Sequence, residues 1–120
     1  GDNVTGTCYA NSKSMNFTLG NSSEIFMNYA DATRFLKESI IKVNDFEEKA
    51  GAIRQEDGSI IEGAVLYLEE LRVGDDYSEN VKVIVKKKLP AAFVIGSSYI
   101  ESEWGAYTID KEKSMLKFNR

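Results

Sequence analysis

No histidine occurs in the 120 residues, and the chain has one cysteine, Cys8, and one proline, Pro90. Without histidine the commonest general base and metal ligand is gone. With a lone thiol, Cys–His and Ser–His catalytic pairs, Cys/His zinc sites and an internal disulfide go with it. No Gly-rich phosphate loop is present either, because Gly96-Ser97-Ser98 has neither the lysine nor the spacing. A basic face is missing as well. The chain carries 15 Lys and Arg against 19 Asp and Glu, a net charge of −4, so nucleic acid is not an expected partner. The one basic run, Lys86-Lys87-Lys88, reads as a solvated strand end, where lysines repel edge pairing. No apolar stretch approaches the roughly 20 residues of a membrane span, so no transmembrane segment is expected.

What is present suits a single folded domain. Hydrophobic residues make up 42% of the chain, enough for one core at this length without metal or disulfide staples. Gly1 in place of Met reads as a trimmed chain with a leader or upstream segment removed. Three Asn-x-Ser/Thr sequons begin at Asn3, Asn16 and Asn21; they would be glycan acceptors in a eukaryotic secreted protein and only a polar, turn-rich segment otherwise. These signs favour an extracytoplasmic or secreted location. Cys8, in a strand-like run, reads as a small buried hydrophobe.

Periodicity divides the domain into an N-terminal hairpin (1–20), a helix (21–44) and an antiparallel sheet (51–120). The hairpin joins runs at 3–10 and 15–19 through the polar turn Asn11–Ser14. Asn21, with Glu24 three residues on, has the spacing of an N-cap box. Ile25, Tyr29, Ala32, Leu36, Ile40 and Val43 then recur at helical steps, with Phe26 and Phe35 widening the stripe. Beyond Asn44, Glu56-Asp57-Gly58 is a hairpin turn signal. Residues 64–73 read as a strand, with a short helix as the alternative because Glu69-Glu70 interrupt the alternation. Residues 80–88 read as a strand with Val81, Val83 and Val85 on one face and Lys82, Ile84 and Lys86 on the other. Ala91–Ile100 reads as an apolar strand, and 104–109 with 115–118 as a last hairpin. The expected fold is α+β, one long helix packed on a curved antiparallel sheet of four to six strands. The alternative is an all-β barrel, in which 24–28 and 33–43 are strands.

One stretch resembles a known family. Ala32-Thr33-Arg34-Phe35 lies in the helix, Ser59-Ile60-Ile61-Glu62-Gly63 stands where cystatins carry Gln-Val-Val-Ala-Gly, and Val81–Lys86 leads to Leu89-Pro90. From about 31 to 93 this order of elements is similar to cystatins. The resemblance implies a cystatin-like fold and an inhibitor-like surface of two neighbouring loops, Ile60, Ile61, Glu62, Gly63 and Leu89, Pro90, Ala91, that binds a protein partner. Residues 57–65 are also similar to a hairpin of carboxypeptidase-regulatory-type β-sandwiches, a family that the long helix does not suit.

Chemistry is left to carboxylates, lysines and tyrosines. Glu47-Glu48, Glu69-Glu70 and Asp75-Asp76 are adjacent pairs, which point to opposite faces of a strand and share a site only in a turn. Glu101 and Glu103, two apart on a strand near Trp104, would form the one glycosidase-type pair. No calcium-loop pattern occurs, so no metal, no cofactor and no catalytic residue is assigned. The functional reading is a non-catalytic exported interaction module. The alternative is a small-ligand carrier, or a histidine-free enzyme with an apolar cavity between helix and sheet.

Overall fold

The computed structural model describes residues 5–110 and 115–118. The sequon at Asn3 and the turn at 111–113 lie outside the described residues. The architecture is a closed barrel of six strands in the order β1-β2-β6-β3-β5-β4, with β7 and β8 forming a separate two-stranded sheet.

β1 (Thr5–Ala10) and β2 (Lys13–Gly20) form an antiparallel hairpin. Its turn is Asn11-Ser12, both at positive φ, the conformation of the tight hairpin turns that asparagine tolerates. The Asn11 side chain then ties distant chain together: Nδ2 donates to the Ile40 carbonyl (2.9 Å), and Oδ1 accepts from the Glu70 amide (3.2 Å). β4 (Val65–Val73) and β5 (Asp76–Lys86) form the longest ribbon, antiparallel from Val65 opposite Ile84 to Val73 opposite Asp76. Leu66, Leu68, Val81, Val83 and Val85 are buried, then Leu71 and Val73. The buried face of β4 therefore switches at Glu69-Glu70, where the register passes from Leu68 opposite Val81 to Glu70 opposite Glu79 and Asn80 takes positive φ. β6 (Phe93–Gly96) is buried along its whole length. It runs parallel to β2 and antiparallel to β3 (Ile25–Asn28), and β3 in turn runs parallel to β5. A strand paired on both sides and covered on both faces is expected to be uniformly apolar.

The long helix over 21–44 is not formed. Residues 25–28 are β3, and α1 spans only Tyr29–Lys37. Its cap is Asn28, whose side chain accepts from the Ala30 amide (2.9 Å), rather than Asn21. Ile25 and Met27 are buried as alternate residues of a strand, and Ala32 and Phe35 are the buried positions of α1. Tyr29, Leu36 and Ile40 pack only partly against the core. The physical reason is that Ile25-Phe26-Met27 suits either periodicity, and β3 gains ladder bonds on both edges that a helix there would forgo. The helix-on-sheet, cystatin-like α+β architecture is thus replaced by a barrel. The barrel alternative meets the structure at 25–28 and departs from it at 33–43, where α1 runs. Ala91–Ile100 is also divided: β6 ends at Gly96, and α3 (Ser97–Trp104) begins at once.

Between α1 and β4 the chain makes a 3-10 turn at Val43–Asp45 and the short α2 (Lys49–Ala52). A small arm follows, closed by the isolated pair Ile53–Ile60. β7 (Tyr107–Asp110) pairs antiparallel with β8 (Met115–Phe118). The core runs through the barrel and under α1 and α3, with Phe17, Phe35, Phe93, Met27 and Ile100 among its largest members. Burying each such side chain contributes about 1.5–3 kcal/mol relative to leaving it exposed. Among the described residues none that is polar or charged is buried, and no helix is long and apolar enough to cross a membrane.

Candidate functional site

The loop from Gly20 to Glu24 is where strand ends from different parts of the chain converge. Gly20 ends β2 opposite Gly96, the last residue of β6, in parallel register. The chain then turns back through Asn21, Ser22 and Ser23 into β3. The Gly96 amide donates to the Glu24 carbonyl (2.9 Å), and the Ser98 amide, in the first turn of α3, donates to the Ser22 carbonyl (3.1 Å). Ser22 Oγ accepts from the Glu24 amide (3.1 Å), which closes the turn from inside. The fit depends on Gly96. A Cβ there would collide with the Ser22 carbonyl group and stand 2.7 Å from the Glu24 carbonyl oxygen, and these are backbone atoms that cannot swing aside. Backbone bonds thus fix the loop to the barrel, leaving Asn21 and Ser23 exposed and Glu24 half-buried.

The sequence-predicted loop pair lies elsewhere and is only partly exposed. Ile60 is buried within the arm, which takes it out of an exposed wedge. Ile61 is half-buried, and its amide donates to the Ala52 carbonyl (2.7 Å). The Glu62 carboxylate accepts from the Lys87 amide (2.8 Å), and the Gly63 amide donates to the Val85 carbonyl (2.8 Å). This segment therefore runs beside the end of β5, which leads on to Leu89 and Ala91, both half-buried, and exposed Pro90.

The chemical inventory is narrow. Cys8 is fully buried, and burial pushes its thiol up to about 12, so it offers no thiolate at neutral pH. Glu101 and Glu103 stand on α3 rather than on a strand; two apart on a helix they do not face each other, so the glycosidase-type pairing is lost. Glu47 lies in a bend where its carboxylate accepts from the Tyr67 hydroxyl (3.0 Å), a bond that raises the Tyr67 pKa. With Glu48 it edges a shallow hollow of about 160 Å3. Three aspartates are spent locally: Asp31 on Arg34, Asp45 on the Lys42 amide, Asp57 on Ser59. The bonds from Ser59 hold the Asp57 carboxyl below its ordinary range. Among the described residues no group of three or more Cys, Asp or Glu is placed to hold a metal.

Sequence reasoning missed the 20–24 loop and Gly96. A signal was present: each of two apolar strands ends in glycine followed by small polar residues, Gly20-Asn21-Ser22-Ser23 and Gly96-Ser97-Ser98.

The sequence matches no known family model and no curated protein. The fold, however, is shared with solved structures. A retropepsin-like aspartic protease from Rickettsia conorii superposes with a TM-score of 0.60 at 15% identity, over 91% of this chain and 77% of that one. The retroviral protease-like domain of Ddi1 from Leishmania major superposes with a TM-score of 0.54 at 14% identity, over 100% of this chain and 90% of that one. The fold is therefore retropepsin-like. This corrects the cystatin-like α+β expectation, and with it the non-catalytic, inhibitor-like interaction module, which rested on a helix-and-loop arrangement that the barrel does not contain.

Proposed function

We propose that this chain acts on polypeptide as a retropepsin-type domain, taking an extended peptide segment near the 20–24 loop. The observation that carries this reading is the six-stranded barrel, shared over 91% and 100% of the chain with domains that bear protease names. Composition agrees with it. Peptide-bond chemistries built on Ser–His or Cys–His pairs or on histidine-ligated zinc have no residues here, whereas carboxylate chemistry needs neither histidine nor thiol. That chemistry takes two carboxylates sharing a proton. The 20–24 loop offers Glu24 and no aspartate, so hydrolysis requires a second acid from outside this loop.

The test is incubation of the protein with a mixture of unstructured peptides between about pH 3 and 7, the span over which carboxylates titrate, with products read by mass spectrometry and binding read separately. Cleavage strongest toward acid pH and lost in Glu24→Gln is the expected result. Peptides bound but uncut would remove the hydrolytic half of the reading, and peptides neither bound nor cut would remove it entirely.

A further inference from the structure

Beside α2 and the arm that follows it lies a hollow of about 480 Å3, lined by Lys49, Ala50, Ile53, Arg54, Gln55 and Gly58. Its volume falls within the range of roughly 300–1,000 Å3 typical of ligand sites. Ala50, Ile53 and the alkyl stems of Lys49 and Arg54 supply apolar surface, while the two cationic heads stay in water. Neither cation forms an ion pair among the described residues. Of the turn's two acids, Glu56 and Asp57, the second is turned onto Ser59, accepting from its amide (2.9 Å) and its hydroxyl (2.7 Å), and meets Arg54 only through longer-range attraction. At Gly58, φ is +74°, and apart from its chain neighbours no atom of the described residues lies within 4 Å of where a Cβ would stand. Lys49 and Arg54, without an ion pair among the described residues, therefore give the apolar hollow a cationic rim.

We infer that this hollow is a specificity site for polypeptide, receiving an apolar side chain whose neighbour is Asp or Glu. The inference rests on the proposed action on polypeptide and names the segment preferred. The apolar side chain would fill the space against Ala50 and Ile53. The acidic neighbour would meet Lys49 and Arg54, and the Gln55 amide could bond the peptide backbone between them. Arg54 suits a carboxylate because its guanidinium donates two parallel bonds.

Fluorescence anisotropy with labelled peptides tests this on the whole chain, using a Phe-Glu peptide, its Phe-Gln counterpart and dodecanoate as competitor. Lys49 and Arg54 are exposed, so the double variant Lys49→Glu/Arg54→Glu should keep its fold, as circular dichroism can verify. Preference for Phe-Glu over Phe-Gln by about tenfold, lost in the double variant and weakened by salt, is the expected result. Equal affinity for the two peptides, or a Phe-Glu preference unchanged in the double variant, would overturn the site while leaving action on polypeptide intact. Binding of neither peptide would fail the polypeptide reading itself. Displacement by dodecanoate with no peptide bound would assign the hollow to amphipathic carboxylates and overturn the inference.

Discussion

The β4–β5 ribbon and the 20–24 loop are held in place by different means. The ribbon is held by repetition: antiparallel pairing on both sides of one skipped position, Glu69 and Asn80, with seven buried aliphatic side chains along its two strands. Each contact is one of many, so losing one leaves the register defined by the rest. The loop contributes no buried apolar side chain of its own. It is held by two backbone hydrogen bonds donated by the Gly96 and Ser98 amides, two internal bonds of the Ser22 hydroxyl to Glu24, and the absence of a side chain at Gly96. The ribbon's position is therefore redundant, while the loop's depends on single atoms. A proposed functional site resting on few backbone contacts against a redundant scaffold is a common arrangement.

Three substitutions probe that contrast, from the largest expected effect to the smallest. Gly96→Val should cost upwards of about 3 kcal/mol, because the new side chain meets backbone on both sides of the loop. Urea unfolding measures it, and a loss below about 1 kcal/mol would show that the loop can move aside and is not held as described. In the ribbon, Leu68→Ala should cost about 2–3 kcal/mol by the same measurement while leaving the fold unchanged. A collapse of the whole transition would mean that the ribbon is less redundant than its pairing implies. Ser22→Ala removes only the hydroxyl's two bonds within the turn, to the Glu24 amide and carbonyl, and should cost about 0.5–1.5 kcal/mol. Its sharper readout is peptide binding, which should weaken more than stability does if loop geometry positions the ligand.

Different parts of this molecule were unequally legible in the residues. Val81, Val83 and Val85 alternate with Lys82, Ile84 and Lys86, and the valine face is buried as the pattern implies. At Ile25-Phe26-Met27 three apolar residues in a row satisfy both strand and helix, and the caps at Asn21 and Asn28 are locally equivalent; only pairing with β5 and β6 decides between them. Ala91–Ile100 reads as one strand although Gly96-Ser97-Ser98 marks a break in it, because nothing in the segment says that the loop at 20–24 passes against that glycine. Of the candidate site, Ile60–Gly63 and Leu89–Ala91 were picked out as exposed apolar loops. Ile60 is instead buried, opposite Ile53 across the arm; the Asp57-Gly58 turn signals that pairing, but which side chains of the arm the core covers is decided by the rest of the fold.

Composition alone determined which chemistry is open to this protein. With no histidine and one thiol, carboxylates are its principal acid–base groups at acid to neutral pH, whatever the fold. Local patterning determined the strands whose alternation is strict. Tertiary structure alone decided that β6 would lie between β2 and β3, that β1 would close onto β4, and that Gly96 would receive the loop. These pairings join residues far apart in the chain, and their free energy comes from burial and ladder bonds shared between segments. No single segment contains that information, so it exists only once the barrel is closed.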